Sequence, residues 1–417
     1  MPIEMNKKAD STRQQAGQTH SQTSRESAGG RAWKEYRFSD FVQIAPKVTL
    51  NHAVSHSFVE MADLQDGNKF CSASVVKQFT GSGTKFQDFD TLFARITPCL
   101  ENGKICQVRN LSEGKGFGST EFHVLRGKEG LSDTGFVFYL SRFSDVRDFA
   151  EANLHGTSGR QRVPREAFDT LFLNLPPLPE QRSIATVLSS LDDKIDLLHR
   201  QNKTLEGMAS TLWRKMFVEE ARIGWKTTTV GEVATINGKS IDKDYPFEEI
   251  DYLDTGSITE GRISEYQHLQ LKDAPSRARR FVQKNDIVVS MVRPIQKHYG
   301  ILKKVAPNTI ASTGFVVISC HKIDPHFLYV LLTQKEMTEF LDIIAEASTT
   351  TYPSLAPSDI EKIDFQMPPA ELLQQFSEYA GHVWDKIEGN NSQIRTLSKT
   401  RDTILPKLMS GEIRVKL

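Results

Sequence analysis

The chain has few cysteines and none of the close pairings that would give them a structural role. Its 417 residues include four, at Cys71, Cys99, Cys106 and Cys320, and no two are spaced as C-x-x-C. A structural zinc site or a disulfide framework needs tighter pairs. We therefore expect reduced thiols, mostly in the core of a cytoplasmic protein.

Long apolar runs and an excess of charge are also missing. No run approaches the roughly 18 apolar residues of a membrane-spanning helix, and no apolar stretch follows the N-terminal basic residues as a secretory signal requires. Lys+Arg and Asp+Glu both total 52, so bulk charge does not point to a nucleic-acid partner. With 38% hydrophobic residues, the composition is typical of a globular protein with sizeable cores.

The motifs of the common enzyme classes are absent as well. Gly238-Lys239-Ser240 lacks the upstream glycine of a phosphate-binding loop, because position 233 is a valine. Glu113 and Lys115 match half of a nuclease motif without its partner carboxylate, and the histidines form no H-E-x-x-H. We expect no catalytic residue, no metal site and no cofactor bound by this chain.

What the sequence does contain is an internal repeat. Three motifs return 192 residues later: Trp33-Lys34 as Trp225-Lys226, Pro176-Pro177 as Pro368-Pro369, and Asp193-Lys194-Ile195 as Asp385-Lys386-Ile387. A period this long indicates duplicated domains. The sequence thus predicts five segments: a disordered Ser/Thr/Gln-rich tail over 1–32, a globular domain over 33–175, a helix over 176–224, a second domain over 225–367 and a second helix over 368–417.

Both globular segments mix short strand-like runs with turns and helical stretches, which predicts an α+β fold. Residues 136–140 and 286–290 have the composition of strands. Residues 81–83 and 102–103 are rich in glycine or asparagine and are typical of turns.

The two helical segments carry apolar residues in a heptad pattern. The pattern includes Leu191, Ile195, Leu198, Asn202 and Leu205 in the first, and Val383, Ile387, Ile394 and Leu397 in the second. Sustained heptads predict a coiled coil, and two equivalent seams in one chain favour pairing with each other. The alternative is that each helix packs on its own domain. Asn202 would fix the register, and Pro406 should kink or end the second helix.

Polar and basic loops occur at equivalent places in both domains. One set comprises Thr157, Ser158, Arg160, Gln161 and Arg162, with the counterparts Thr350, Thr351 and Tyr352. A second set comprises Lys85, Arg95, Asn102 and Lys104 in the first domain, and Arg277, Arg279, Arg280, Arg293, Lys297 and Tyr299 in the second. Such side chains contact phosphates and base edges, although solvated turns and scattered surface charge have the same composition. They are our candidate DNA contacts.

Several of these stretches resemble the specificity subunits of type I restriction–modification enzymes. The resemblance lies in the two Trp-Lys domain openings, in residues 93–104 and 274–280, and above all in Leu175-Pro-Pro-Leu-Pro-Glu-Gln-Arg182, which leads into residues 191–195. It covers about 33–417. It departs at the tail and at residues 370–374, where the second helix lacks the leucine-proline-glutamate-glutamine run.

The resemblance implies a non-catalytic subunit with two target-recognition domains, each of which reads one half of a bipartite DNA site. The two helices would pair antiparallel, space the domains and dock two methyltransferase subunits, which restriction and translocase subunits join in phage defence. S-adenosylmethionine, ATP and magnesium would be used by these partners. Two alternatives stay open: a fused methyltransferase–nuclease partner, or a scaffold that binds proteins and no DNA.

Overall fold

The computed structural model describes residues 32–221, 224–242, 244–348 and 353–415. The tail predicted over 1–32 lies outside these ranges except for its last residue. Within the described residues the chain forms two α+β domains, each followed by a long helix, as the sequence predicts.

The first domain contains two main sheets. Its elements are β1 (Lys34–Arg37), α1 (Phe38–Phe41), β2 (Val42–Ile44), β3 (Ser55–Val59), β4 (Phe70–Cys71), β5 (Val75–Gln78), β6 (Thr84–Gln87), β7 (Thr91–Ala94), β8 (Ile105–Val108), β9 (Lys115–Gly118), β10 (Phe122–Gly127), α2 (Thr134–Arg142), α3 (Ser144–Ala152) and β11 (Phe172–Leu175), followed by the long helix α4 (Leu178–Arg214). An inner sheet has the order β2-β10-β7-β8-β4 and an outer sheet the order β5-β3-β9-β6. Helix α2 packs between the inner sheet and α4.

The second domain repeats this plan. Its elements are β12 (Lys226–Thr229), α5 (Val230–Val233), β13 (Ala234–Ile236), β14 (Glu249–Leu253), β15 (Ile258–Thr259), β16 (Arg262–Ile263), β17 (Gln267–Gln270), β18 (Ala278–Phe281), β19 (Ile287–Ser290), β20 (Tyr299–Ile301), β21 (Thr309–Ser312), β22 (Phe315–Cys320), α6 (Pro325–Thr333), α7 (Lys335–Glu346), α8 (Pro357–Glu361) and β23 (Asp364–Met367), followed by α9 (Ala370–Met409). Its inner sheet has the order β13-β22-β19-β20 and its outer sheet the order β17-β14-β21-β18.

Each domain is closed by a pair of antiparallel strands from its two ends. β1 pairs with β11, so that Lys34 lies opposite Leu175. β12 pairs with β23 in the same way, with Lys226 opposite Met367. The entry and exit of each domain therefore lie side by side.

One strand prediction is confirmed and the other is wrong. Strand β19 occupies most of 286–290, but residues 136–140 lie inside helix α2. Residues 136–141 are all buried, because α2 is covered by the inner sheet and by α4. A helix buried on every side has no polar face, so a short apolar run cannot be distinguished from a strand by its periodicity. The helix begins where the Asp133 carboxylate accepts a hydrogen bond from the Phe136 N–H at 2.9 Å.

The helices α4 and α9 pair antiparallel along the heptad seam, which confirms the coiled coil. Asp192, in the first half of α4, contacts Arg401, near the end of α9, at 2.6 Å. At the middle of the seam Asn202 donates to Asn391 at 2.8 Å and accepts from Asn390 at 2.7 Å. The predicted polar layer therefore exists, and both helices contribute to it.

The second helix does not end at Pro406, because α9 continues to Met409. Proline removes one helical hydrogen bond. Leu405, Leu408 and Met409 in this last turn are buried in the core of the first domain, together with Ile184 and Leu188 of α4. Their burial compensates for the lost hydrogen bond.

Among the described helices, none is long and apolar enough to cross a membrane. All four cysteines are free; Cys71 and Cys106 are buried, and Cys99 and Cys320 are half-buried.

Candidate nucleic-acid interface

In the first domain, the loop that joins β7 to β8 is bound to a second polar loop. Val163 N–H donates to the Arg95 carbonyl at 2.9 Å, and Thr97 N–H donates to the Gln161 carbonyl at 3.0 Å. The Thr97 hydroxyl accepts from Gln161 N–H at 3.0 Å. The structure thus brings Arg95 together with the polar segment 157–162. We call residues 95–104 and 156–162 the paired loops of the first domain.

The second domain joins its equivalent loops in the same way. Arg293 N–H donates to the Pro353 carbonyl at 3.1 Å, and Leu355 N–H donates to the Met291 carbonyl at 2.7 Å. Residues 291–298, between β19 and β20, and residues 353–355 are the paired loops of this domain. The predicted contacts Thr350, Thr351 and Tyr352 lie outside the described residues. Main-chain bonds between distant segments have no sequence signal, so the sequence identified these loops separately and did not pair them.

Several candidate contacts in the first domain are already engaged. Arg162 donates to both carboxylate oxygens of Glu121, at 2.8 and 2.6 Å, and these bonds hold the pKa of Glu121 below its usual range. Lys104 Nζ donates to the Met61 carbonyl at 3.0 Å. Lys85 lies on the outer sheet, with its Nζ 5.0 Å from the centre of the Phe79 ring.

The remaining candidates of the first domain are more accessible. Thr157, Ser158 and Arg160 are exposed on one of the paired loops, and Gln161 is half-buried. Asn102 is exposed in the turn before β8. The Nε of Arg95 is buried without a hydrogen-bond partner among the described residues. The exposed polar groups at the paired loops therefore include two hydroxyls, the Asn102 amide, the Glu101 carboxylate and the Arg160 guanidinium.

Candidates in the second domain divide similarly. Lys297 Nζ donates to Glu260 at 2.7 Å, and the half-buried ring of Tyr299 packs edge-on against Tyr329. Arg277 and Arg279 are exposed and Arg280 is half-buried, all on or beside β18. The Arg277 carbonyl accepts from Thr313 N–H at 2.8 Å, and Gly314 in turn accepts from Met291 N–H at 2.9 Å. This chain of bonds places Arg277 next to the paired loops.

The heptad residues predicted for spacing and subunit docking lie in the seam between the helices. Ile195, Leu198, Asn202, Val383 and Ile387 are buried, and Leu191, Leu205, Ile394 and Leu397 are half-buried. They contact other parts of this chain, so the seam itself offers little surface to a partner subunit.

The coiled coil has one side covered by the domains and one side that, among the described residues, is largely exposed. In heptad notation, Ile195 and Asn202 are a positions and Leu191 and Leu198 are d positions, and α9 follows at an offset of 192. In an antiparallel pair, the g positions of the two helices flank one side of the seam and the e positions flank the other. Domain contacts use the e side: Asp192 accepts from the Tyr139 hydroxyl at 2.6 Å, and His326 packs on Trp384. On the opposite side, the c and g positions form what we call the free face: Val187, Ser190, Lys194, Leu197, Gln201, Thr204, Met208, Thr211 and Lys215 of α4, and Tyr379, His382, Lys386, Gly389, Gln393, Thr396, Thr400, Thr403 and Lys407 of α9.

The free face contains no acidic residue and repeats itself between the helices. The nine α4 positions are all exposed. At an offset of 192, five of its nine residue pairs are identical: Lys194/Lys386, Gln201/Gln393, Thr204/Thr396, Thr211/Thr403 and Lys215/Lys407. At the nine b and e pairs between Ala185/Ser377 and Trp213/Leu405, none is identical. These identities are present in the sequence, but they become visible only when the c and g positions of the two helices are compared at the offset of 192 residues.

The stretch that carries the family resemblance has a structural role. Gln181 donates to the carbonyls of Leu131 and Pro176 at 3.1 and 2.9 Å. Glu180 accepts from the Trp33 indole at 3.1 Å and from the Arg414 guanidinium. These residues fasten the start of α4 to the first domain and to the segment that follows α9.

The sequence matches the type I restriction modification DNA specificity domain twice, over residues 31–207 and 222–379. The chain belongs to this family. Similar family members include the type I restriction enzyme HindI specificity subunit of Haemophilus influenzae, which is 24% identical over 91% of this chain and 99% of its own length. The MjaIX specificity subunit of Methanocaldococcus jannaschii is 27% identical over 67% of this chain and 69% of its own length.

A solved structure shares the fold of this specificity-family chain. It is the S subunit of a type I restriction-modification system from M. genitalium, which aligns with a TM-score of 0.52 at 16% identity and covers 92% of this chain and 98% of its own. Within the described residues of this chain, no group of three or more His, Cys, Asp or Glu side chains is arranged to hold a metal ion.

Proposed function

We propose that this chain is the DNA-recognition subunit of a type I restriction–modification complex and that it reads a bipartite site, one half with each domain. The observation that carries the proposal is the recurrence of the paired loops at equivalent places with different side chains. The first domain presents Arg160 and Gln161 there, and the second presents Arg293. Because base readout depends on side chains, the two half-sites should differ in sequence.

The paired helices suit the role of a spacer. Helix α4 has 37 residues, so it is about 56 Å long at a rise of 1.5 Å per residue. This length is sufficient to hold two reading domains about one turn of DNA apart, the ~34 Å separation used by dimeric DNA-binding proteins. Covalent duplication replaces the two-fold axis of such dimers. The chain itself would supply no chemistry, and S-adenosylmethionine, ATP and magnesium would be used by its partners.

We further propose that two methyltransferase subunits dock on the free face. Exposed side chains usually diverge after a duplication. Seven of the nine pairs are exposed on both helices and four of these seven are identical, which supports contact with two copies of one partner. The Thr204 and Thr211 hydroxyls donate to the carbonyls of Arg200 and Gly207 at 3.0 and 2.8 Å. Their methyl groups therefore face outward. Apolar groups with interspersed lysines fit a partner surface that is apolar and acidic. Restriction and translocase subunits would join through these methyltransferases.

A selection from randomised duplexes tests the reading proposal. The chain would be co-expressed with its methyltransferase and the complex selected at fixed salt, because phosphate contacts make affinity salt-dependent. Two unlike sequence blocks at a constant gap are the expected result. One block would mean that a single domain reads DNA, and no enrichment would favour a scaffold that binds only proteins. The partner that co-purifies distinguishes a separate methyltransferase from a fused methyltransferase–nuclease.

A further inference from the structure

The repeated Asp-Lys-Ile motif places its aspartate against a buried lysine in both halves of the molecule, although the two lysines come from different positions in their domains. Lys69 Nζ lies 3.2 Å from Asp193, and its side chain is 8% exposed. Lys303 Nζ lies 3.0 Å from Asp385, with its side chain 7% exposed. Lysine is seldom buried unless it is paired. Here one buried lysine of each domain is held by the equivalent aspartate of the following helix.

Each of these lysines also has a second partner. Lys69 donates to the Ser189 hydroxyl at 3.0 Å, and Lys303 donates to His326 Nε2 at 3.0 Å. The hydrogen bond from Lys303 lowers the pKa of Asp385. The three residues of each Asp-Lys-Ile motif thus lie in three different surroundings. The aspartate holds the domain, the lysine lies on the free face, and the isoleucine packs in the seam.

Both ion pairs are connected to the paired loops through the strand that leaves those loops. In the second domain β20 begins after the loop 291–298 and ends at Ile301, two residues before Lys303. In the first domain β8 begins after the loop 95–104 and pairs with β4, which Lys69 precedes. Strands of three or four residues span about 10–13 Å. The candidate reading loop is therefore linked to the helix pair through β20 in the second domain, and through β8 and the adjoining β4 in the first.

We infer that Lys69–Asp193 and Lys303–Asp385 are positioning pairs. They fix the paired loops of each domain relative to the helices and thereby set the gap between the two half-sites. The inference rests on the proposed DNA-reading function. It adds gap-determining residues that lie outside both the paired loops and the seam.

The second domain is also tied to α4, since Arg262 donates to His199 at 3.2 Å and Gln334 donates to Ser210 at 3.0 Å, but the charged groups next to the two lysines differ. The first domain has further ties to the helices: Arg109 contacts Asp196 at 2.6 Å, and Arg401 donates to the Gly67 carbonyl at 2.8 Å. Glu388, the counterpart of Asp196, instead contacts Arg395 of its own helix at 2.7 Å.

A cavity of about 240 Å³ lies beside Glu388, between the second domain and the helices, and is lined also by Tyr266 and Lys304. Among the described residues, Lys303–Asp385 is the ion pair that joins the β20 edge to α9. The spacing that the complex prefers between its two half-sites should therefore depend more on Lys303 than on Lys69.

The test uses the complex with its methyltransferase and duplexes that carry fixed half-sites at varied gaps. The wild-type complex should bind a duplex with the preferred gap more tightly than a duplex whose gap is one base pair longer. We expect Lys303→Met to reduce this preference by about tenfold, a difference near 1.4 kcal/mol, and Lys69→Met to reduce it by less than about threefold. The half-site sequences should not change. Lys304→Met, which neutralises the neighbouring lysine at the cavity, is the matched control and should retain the preference.

Two further variants keep the inference falsifiable if Lys303→Met folds poorly. Asp385→Asn should also reduce the preference for one gap length, and the exchange Lys303→Asp with Asp385→Lys should restore that preference. An unchanged gap preference in Lys303→Met and Asp385→Asn, or an altered half-site sequence, would overturn the positioning role. Absence of any bipartite selection by the wild type would instead refute the proposed function, so the two failures are distinguishable.

Discussion

Glu206 lies on the domain-facing side of α4, where burial and the nearby Glu260 carboxylate raise its pKa to about 7. An acid whose pKa is higher in the folded state than in the unfolded state binds its proton more tightly when folded. Its contribution to stability is therefore fully present below about pH 4.5 and is lost as the pH rises toward 7. At neutral pH and above, this carboxylate destabilises the contact between the second domain and the helix.

Replacing the carboxylate with an amide should remove this pH dependence. We expect Glu206→Gln to have a higher free energy of unfolding than the wild type at pH 8, by about 1–3 kcal/mol, and to differ little at pH 5. Urea denaturation at both pH values measures the difference. Glu378→Gln, which changes an exposed residue of α9, is the control. An equal effect of Glu206→Gln at both pH values would contradict the assignment.

At the scale of elements, the asparagine layer of the coiled coil makes a non-additive prediction. Asn202→Leu alone leaves Asn390 buried without its acceptor, which should cost about 1–3 kcal/mol. The double variant with Asn390→Leu removes both polar groups and should recover most of that loss. A double-mutant cycle on the free energy of unfolding measures the coupling. Additive effects of the two substitutions would show that the hydrogen bonds between them contribute nothing.

The elements that the sequence predicts well are those with a long period. The heptads of α4 and α9 extend over many turns, and both helices and their pairing are confirmed. Helix α2 was missed because its nine residues are too few for a period and are covered on all sides. The sequence identifies the paired loops only as separate segments, since Thr97 and Gln161 are joined across 64 positions by one main-chain hydrogen bond and one bond to the Thr97 hydroxyl. Such contacts are set by the sheet order, which local patterns do not encode.

At the scale of the whole molecule, the free face predicts how many partner subunits the chain can hold. Lys194→Glu and Lys386→Glu each introduce a negative charge at an equivalent position on a face without acidic residues. We expect each single variant to lose one of two methyltransferase copies and the double variant to lose both, because like charges oppose docking. Native mass spectrometry of the co-expressed complex gives the stoichiometry. Lys399→Glu, exposed on α9 outside the free face, should retain both copies.

The closure of each domain by its terminal strands makes the first domain an exchangeable unit. Lys34 lies opposite Leu175, so both junctions of an exchange at 33–175 are adjacent and outside the helices. If a related domain is inserted that retains lysine and arginine at positions 69 and 109, its ion pairs to Asp193 and Asp196 should form again. We therefore expect the duplex selection to yield one new half-site, with the other half-site and the gap unchanged. A change in both half-sites would mean that each domain depends on the other to read DNA, and an altered gap alone would mean that the inserted domain sits differently on α4.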